Sequence, residues 1–291
     1  MFENNETLEQ ARKRNVHDAL MEDIGLGDWT AKLINPEEKV AAQVIVKQDQ
    51  AVLCGRDWFE DCFKALDRTA LLTWHYAEGD VMKDKSVVCD IESNGRALLS
   101  AERPALNFLQ SLSWTATTTY KHVKAIEGVS PNPKGCAILD TRKTIPGMRQ
   151  AQKYAVRVGG GKNQRLALWD GILIKENHIA AAGSIAAALK AAFDLNSGVG
   201  IQIEVESLLE LEEALLHGAT SVLIDDFSLI DMREAVKINQ GRALLEVSGG
   251  VNLEGLKEIA STGVDRISIG KLTKDVLAID YSMRVLRRLS A

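Results

Sequence analysis

The sequence predicts an α/β protein in which a compact α+β unit is followed by a parallel sheet. In the first part, strand-like runs lie close together and are joined by turns. A linker rich in glycine and proline, residues 128–135, separates it from a regular alternation of short apolar runs and helix-like segments. From residue 201 onward the apolar runs begin 20 to 22 residues apart, which is typical of parallel strands with helices between them.

The first part consists of a helix followed by a group of strands. Helical spacing of apolar residues extends over 5–24 and ends at Gly25. Asn94-Gly95 is typical of a hairpin, and Pro104 is typical of a helix start. Short apolar runs between polar turns predict strands at 40–46, 51–54, 71–76, 86–91 and 97–101, and helical spacing predicts helices at 56–68 and 104–126.

The second part alternates apolar strands with helices. The strands are predicted at 137–139, 172–174, 201–205, 221–224, 243–247 and 265–269, and the helices at 184–193, 207–217, 228–239, 252–260 and 274–289. Six strands are fewer than the eight of a closed barrel, so we expect an incomplete barrel; an open doubly wound sheet fits the same alternation. We divide the chain into domains 1–127 and 128–291, with the C-terminal helix free to pack back on the first.

Composition argues against several classes of protein. The formal net charge of −5 leaves no basic excess to neutralise nucleic-acid phosphates. The four cysteines lack C-x-x-C spacing, which argues against a zinc site or a disulfide framework. The acidic, polar N-terminus is unlike a secretory signal, and no run approaches the roughly 18 apolar residues of a membrane span. We therefore expect a cytoplasmic protein.

Basic side chains follow the first two strands of the second part. Arg142 and Lys143 come after the first strand, Lys175 comes directly after the second, and Arg165 lies between them, after the triplet Gly159-Gly160-Gly161. Because the carboxyl ends of parallel strands meet at one edge, we expect these cations to converge in one pocket. Four like charges repel, so the pocket is expected to bind anions. Taken alone, the glycine triplet indicates a flexible loop.

The later strands end in acids and glycines. Glu204 and Asp225 close neighbouring strands, and a pair of carboxylates suits Mg²⁺ carried by a phosphorylated substrate. Ser248-Gly249-Gly250 and Gly270-Lys271 precede predicted helices, whose backbone N–H groups hold phosphate. Asp225 is equally explained as a helix cap, whereas an acid inside an apolar strand, such as Glu204, is costly without a partner. We interpret His178 as a structural residue.

Several runs taken together resemble the quinolinate phosphoribosyltransferase family, also called nicotinate-nucleotide pyrophosphorylase (carboxylating). They are DTRKTIPGMR, KYAVRVGGGKNQR, LIKENH, EVE, IDDF, SGGV and ISIGKLTK. The N-terminal EDIGLGDWT and the AERPALN segment around Arg103 extend the resemblance over nearly the whole chain.

The resemblance implies a type II phosphoribosyltransferase fold, with an N-terminal α/β sandwich domain beside an incomplete parallel α/β barrel. It implies a pentosyltransferase that transfers phosphoribosyl from phosphoribosyl pyrophosphate (PRPP) to quinolinate with decarboxylation. The products would be nicotinate mononucleotide, pyrophosphate and CO₂, in de novo NAD biosynthesis. It further implies Mg²⁺ as cofactor and a homodimer or higher oligomer, with neither nucleic acid nor membrane as a partner.

The resemblance also implies roles for individual residues. Arg103 matches an arginine that one subunit contributes to the site of its partner. Arg142, Arg165 and Lys175 match the residues that grip the two carboxylates of quinolinate, and Thr141 is expected to contact substrate beside them. Lys143 matches a lysine near the pyrophosphate, and Glu204 and Asp225 match the acids around the ribose and its Mg²⁺. The expected catalytic residues are Lys143, Lys175, Glu204 and Asp225. The loops that hold the 5-phosphate are matched by Ser248, Gly249, Gly250, Ile269, Gly270 and Lys271.

Gln164 departs from the family pattern, because many members carry histidine directly before the arginine. An amide donates a hydrogen bond to a carboxylate but cannot be cationic. A role that requires a protonated histidine at this position therefore does not transfer to this chain.

Three other functions fit parts of the pattern. A paralogous phosphoribosyltransferase-like protein linked to molybdate transport would share the TRKT and glycine-rich runs but is expected to depart at LIKENH, which is intact here. A barrel lyase would use Lys175 as a Schiff-base amine, although the surrounding arginines argue against it. A non-catalytic anion-binding module would leave Glu204 and Asp225 without a task.

Overall fold

The computed structural model describes residues 4–289, which form two compact units. The first unit comprises the described residues up to Tyr120, together with Thr144–Gly160 and those from Thr273 onward; the second comprises Lys121–Lys143 and Gly161–Leu272. This division is discontinuous and so differs from a single boundary at residue 127.

The helices are α1 (Leu8–Ile24), α2 (Arg56–Leu66), α3 (Gly95–Ile126), α4 (Arg149–Val158), α5 (Glu176–Ala182), α6 (Ile185–Asp194), α7 (Leu208–Leu216), α8 (Leu229–Asn239), α9 (Leu256–Ala260) and α10 (Lys271–Lys274), with a 3₁₀ turn at Ala31–Leu33. The strands are β1 (Lys39–Val46), β2 (Ala51–Val52), β3 (Leu71–Trp74), β4 (Val81–Met82), β5 (Val87–Asn94), β6 (Ala137–Leu139), β7 (Gly171–Ile174), β8 (Gly200–Val205), β9 (Ser221–Asp225), β10 (Leu244–Ser248), β11 (Arg266–Ser268) and β12 (Tyr281–Leu289).

The first unit is a mixed α/β structure built on an antiparallel sheet. Its strand order is β12-β1-β5-β3, and β2 and β4 form a separate antiparallel pair. Helix α2 buries its apolar stripe, including Trp58, Phe59 and Phe63, in the same core as the strands. The ring centroids of Trp58 and of Tyr154 on α4 lie 5.5 Å apart, so that this later segment packs in the first unit.

The predicted hairpin at Asn94-Gly95 and strand at 97–101 are wrong, because this stretch begins helix α3. The side chain of Asn94 accepts from the backbone N–H groups of Arg96 and Ala97 at 3.0 and 3.3 Å, and so caps the helix in place of forming a turn. The predicted helix over 104–126 is therefore real but starts nine residues earlier, at Gly95. Pro104 lies inside the helix and not at its first turn.

The predicted C-terminal helix at 274–289 is also wrong. Only Lys271–Lys274 is helical in this region, and Tyr281–Leu289 forms strand β12. This strand pairs antiparallel with the whole length of β1, from Lys39 opposite Leu289 to Val46 opposite Tyr281. Backbone pairing with an otherwise open edge overrides the helical spacing of the side chains.

The second unit is the predicted parallel sheet. All six of its strands are parallel, in the order β6-β11-β10-β9-β8-β7, and each lies within two residues of its predicted bounds. Strands β6 and β7 stand at opposite edges and do not pair within the described residues, so the barrel is incomplete. Helix α5, which the sequence analysis missed, directly follows β7. Over residues 4–289, no helix has both the length and the apolar character needed to cross a membrane.

The glycine triplet is an ordered contact. Gly159 ends α4 and lies against α3 so closely that an added Cβ would stand 2.3 Å from the carbonyl oxygen of Ala116 and 2.7 Å from Cβ of Thr119. The flexible loop expected from the triplet is therefore wrong at Gly159, which permits two backbones to approach. Gly160 follows with a left-handed φ of 87°.

We expect Gly159→Ala to lower the free energy of unfolding by about 2 kcal/mol or more, because backbone atoms of α3 would have to move. Chemical denaturation measures the change. Gly200→Ala is the control, since its Cβ would enter open space and its stability should change by less than about 0.5 kcal/mol. Equal stability of the two variants would contradict the close approach.

Candidate active site

Lys175 and Glu204 form an ion pair across two neighbouring strands. Lys175 follows β7 directly, and its Nζ donates to Oε1 and Oε2 of Glu204 at 2.8 and 2.6 Å. Glu204 lies in β8 between Ile203 and Val205, both fully buried on the opposite face. The glutamate side chain is 9% exposed and the lysine 44%, so the pair stands at the edge of the interior. The sequence indicates that Glu204 needs a partner, and in the structure that partner is Lys175.

Asp225 lies on the same face of the sheet as Glu204. Glu204 is opposite Leu223 in the register of β8 and β9, and Asp225 is two residues further along β9. Asp225 is in turn opposite Ser248 at the end of β10. A Cβ added to Gly249 would stand 3.4 Å from Oδ1 of Asp225, and Gly249 has a left-handed φ of 97°. The predicted acid and glycine segments therefore adjoin at the carboxyl ends of their strands.

Asp140 fixes the loop that carries Arg165. This fully buried carboxylate accepts from Nδ2 of Asn163 at 2.5 Å and from the backbone N–H of Gln164 at 2.9 Å. Arg165 then donates from Nη1 to the carbonyl oxygen of Gly171 at 2.9 Å. Burial, and after it the charge of Arg142, lower the pKa of Arg165. Two of the predicted cations, Arg142 and Arg165, therefore repel each other where the guanidinium group of Arg165 is partly buried.

Lys143 and Gly270 are also neighbours. A Cβ added to Gly270 would stand 3.1 Å from Cδ of Lys143 and 3.5 Å from Oγ1 of Thr141. The Thr141 hydroxyl accepts from the backbone N–H of Lys143 at 3.1 Å. Ile269 is buried and donates its N–H to the carbonyl of Leu139 at 2.9 Å, and Lys271 begins the short helix α10. The loops after β6 and β11 therefore meet, as predicted.

Arg165 lines a cavity of about 450 Å³ in the second unit. A cavity of this volume suits a small organic molecule. Gln164, Gln202 and Arg266 line the cavity as well, together with Gly171, Gly200 and Ser221 at the amino ends of β7, β8 and β9. Of the cations predicted to converge in one pocket, Arg142 and Lys175 are not among the described residues that line this cavity. Arg103, by contrast, lies in the first unit as an exposed residue of α3. His178 has the predicted structural role, because its Nδ1 accepts from the backbone N–H of Lys175 at 3.0 Å.

Three residues of the polar interior were missed by the sequence analysis: Asp140, Gln202 and Glu246. Glu246 is fully buried in β10, and Gln202 in β8 donates to it at 2.9 Å. A signal for Glu246 was present, since it stands between Leu245 and Val247 as Glu204 stands between Ile203 and Val205.

The described residues contain no cluster of three or more histidine, cysteine or acidic side chains that could hold a metal ion by themselves. Both oxygens of Glu204 also accept from Lys175. Mg²⁺ commonly uses only one or two carboxylates and takes its other ligands from water and substrate phosphates. Asp225 and Glu204 therefore fit an ion that arrives on a phosphorylated substrate and do not fit an all-protein site.

Two family models match most of the chain. The description "Quinolinate phosphoribosyl transferase, C-terminal domain" applies to residues 115–284, and the corresponding N-terminal domain matches residues 28–113. The chain belongs to the quinolinate phosphoribosyltransferase family.

Members of this family resemble the chain over nearly its full length. It is 38% identical over 274 residues to the probable nicotinate-nucleotide pyrophosphorylase (carboxylating) of Bacillus subtilis, covering 94% of this chain and 93% of that protein. It is 33% identical to the quinolinate phosphoribosyltransferase (decarboxylating) 2a, mitochondrial, of Nicotiana tabacum, covering 92% and 80%. The nicotinate-nucleotide pyrophosphorylase structure from Francisella tularensis superposes with a TM-score of 0.91 at 42% identity, covering 97% of this chain and 100% of that one. The α/β fold class predicted from the sequence is confirmed.

In this family member, we expect Lys175→Met to lower the free energy of unfolding by about 1–3 kcal/mol, because it leaves the buried carboxylate of Glu204 without its cation. Urea denaturation of Lys175→Met, Glu204→Gln and the double variant measures the coupling between the two residues. The double variant should be more stable than Lys175→Met alone. Additive losses would mean that the pair contributes no coupling.

Proposed function

We propose that this chain transfers the phosphoribosyl group of PRPP to quinolinate and releases pyrophosphate and CO₂, giving nicotinate mononucleotide for de novo NAD biosynthesis. The observation that carries the proposal is that Arg142 acts on the partly buried Arg165, whose pKa is lowered by burial and then by the charge of Arg142. Two neighbouring guanidinium groups match a ligand with two adjacent carboxylates, which quinolinate has and nicotinate lacks.

The proposed substrate contacts are those that the family resemblance assigns to these side chains. Arg142, Arg165 and Lys175 bind the carboxylates of quinolinate, with Thr141 beside them. Lys143, on the loop that meets Gly270, binds the pyrophosphate of PRPP, as the resemblance implies. The 5-phosphate is held by backbone N–H groups of Ser248–Gly250 and Ile269–Lys271.

In the transfer step, the ring nitrogen of quinolinate forms a bond to the anomeric carbon while the bond from that carbon to pyrophosphate breaks. Positive charge develops on the ribose ring, and the carboxylates of Glu204 and Asp225 stabilise it. Lys143 stabilises the negative charge that leaves with pyrophosphate. Lys175 keeps the Glu204 carboxylate in a fixed orientation through its two hydrogen bonds.

In the second step, the bond between the ring and the 2-carboxylate breaks and CO₂ leaves. The electron pair stays on the ring carbon next to the cationic nitrogen, which stabilises it, and a proton then replaces the lost group. The arginines hold the ring in place through the carboxylates, so that orientation is retained between the two steps.

Mg²⁺ would be held by Asp225 and Glu204 together with oxygens of PRPP, in keeping with the incomplete donor set of the protein. When bound, it would neutralise charge on the leaving pyrophosphate. The cytoplasmic location expected from the sequence stays a prediction.

The Schiff-base alternative is disfavoured by the contacts of Lys175. Its amine donates to both oxygens of a buried carboxylate and is not directed at open space as a nucleophile. The molybdate-linked alternative is disfavoured because the LIKENH run is intact and supplies the Lys175 of this ion pair.

We expect the purified chain to release pyrophosphate and CO₂ in equal amounts from quinolinate and PRPP, only in the presence of Mg²⁺, and to release neither with nicotinate. Arg142→Lys should raise the KM for quinolinate roughly tenfold, because an ammonium cannot make the paired contacts of a guanidinium. Coupled pyrophosphate assays and trapping of labelled CO₂ make the measurement. Turnover of nicotinate, or an unchanged KM for quinolinate in Arg142→Lys, would remove the proposed role of the arginines.

We further propose a homodimer in which Arg103 of each subunit completes the site of the other. Arg103→Ala and Glu204→Gln should each be nearly inactive as pure proteins. After subunit exchange, half of the dimers would be mixed, and each mixed dimer would contain one intact site, so about a quarter of the wild-type activity should return. Absence of any recovery, with mixed dimers shown by native mass spectrometry, would place Arg103 in the site of its own subunit or outside both.

A further inference from the structure

The carboxylate of Glu246 is the centre of a hydrogen-bond network inside the second unit. The residue is fully buried, and its oxygens accept from Nε2 of Gln202 at 2.9 Å, from the hydroxyl of Ser268 and from Nε2 of Gln164 at 3.1 Å. Nη1 of Arg266 stands 4.0 Å away. A buried carboxylate is costly, and here several donors from three segments compensate that cost.

Gln164 connects this carboxylate to the backbone of Arg165. Its Nε2 also donates to Oε1 of Gln202 at 2.6 Å, and its own Oε1 accepts from the N–H of Arg165 at 2.5 Å. The backbone N–H of Gln164 is fixed separately by Asp140. The residue before Arg165 is therefore held at its backbone by one buried acid and at its side chain by another.

The direction of the network is set by the chemistry of Glu246. The carboxylate oxygens of Glu246 accept hydrogen bonds from the NH₂ groups of both glutamine amides. The carbonyl oxygen of Gln164 must then point away from Glu246, which is where the N–H of Arg165 lies. A side chain at position 246 that also donates hydrogen bonds would no longer hold the Gln164 amide in this orientation.

We propose that Glu246 is a positioning residue that acts through Gln202 and Gln164 to hold Arg165 where it binds a carboxylate of quinolinate. This inference rests on the proposed function of the site. Because Gln164, Gln202 and Arg165 line the same cavity and are joined by hydrogen bonds, a displacement of the Gln164 side chain displaces Arg165 as well. The contacts of Gln202 and Gln164 lead to Arg165, whereas Ser268, which precedes the Ile269–Lys271 loop assigned to PRPP, donates to Glu246 itself. Loss of the Gln202–Gln164 branch is therefore expected to affect quinolinate more than PRPP.

The test is Glu246→Gln, which keeps the size of the side chain but places an NH₂ group among donors. Steady-state kinetics should show the KM for quinolinate raised roughly tenfold or more, a clearly larger factor than the change in the KM for PRPP. Calorimetric binding of quinolinate to the free enzyme should weaken by the same factor. An unchanged KM for quinolinate, or equal changes for both substrates, would overturn the inference.

Gln202→Met provides a second variant that retains the carboxylate and removes the amide between it and Gln164. It should raise the KM for quinolinate by a smaller factor, and the double variant should fall well short of the product of the two single effects, because the residues act in one network. If Glu246→Gln does not fold, a wild-type KM for quinolinate in Gln202→Met overturns the inference by itself.

Asn239→Asp is the matched control for loss of stability. Asn239 is buried in the same unit, and its side chain bonds the N–H and the carbonyl of Ala243 at 2.9 and 2.8 Å, away from the 164–165 loop. This variant should unfold at a lower urea concentration and keep the wild-type KM for quinolinate. A raised KM in the control would mean that instability alone accounts for the effect of Glu246→Gln.

If the wild-type protein does not turn over quinolinate at all, the proposed function fails. A normal wild type with an unaffected Glu246→Gln variant rejects only the positioning role.

Discussion

The charge repulsion between Arg142 and Arg165 is the interaction on which the polar interior of the second unit depends. Burial and the charge of Arg142 both disfavour the cationic form of Arg165, which lowers its pKa. A side chain under such repulsion adopts one position only if its backbone is held firmly. Asp140 and Gln164 provide that restraint from two sides, with hydrogen bonds of 2.9 and 2.5 Å to successive backbone N–H groups.

The fold could be predicted where side-chain patterns and backbone pairing agree. The six strands of the parallel sheet are continuous apolar runs covered on both faces, and such runs have few alternatives. The stretch 94–101 was misread because Asn94-Gly95 suits a hairpin, whereas the structure uses the Asn94 side chain as a helix cap. Buried Leu98, Ala101 and Ala105 have the helical spacing that the turn signal obscured. Strand β12 could not be predicted, because only its pairing with β1 makes it a strand.

The candidate site could be predicted to the extent that its residues follow strand ends. Parallel topology brings Lys175 beside Glu204 and places Asp225 opposite Ser248 without further information. Asp140 also follows a strand, but nothing local shows that its partners are Asn163 and Gln164, more than twenty positions away in the chain. Glu246 carries the same local signal as Glu204, an acid between apolar strand residues. The two differ in what they face, and that difference appears only once Gln164, Gln202 and Ser268 are seen to converge on Glu246.

The distribution of acids explains how a chain with a net charge of −5 can present a cationic site. Asp140 and Glu246 are buried and accept hydrogen bonds from amide and backbone N–H groups. Glu204 pairs with one of the predicted cations, Lys175. In the proposed reaction, quinolinate enters with two carboxylates and leaves with one, on a ring that has become cationic. The attraction of Arg142 and Arg165 for the ring therefore falls as CO₂ departs, and the same charges that bind the substrate favour release of the product.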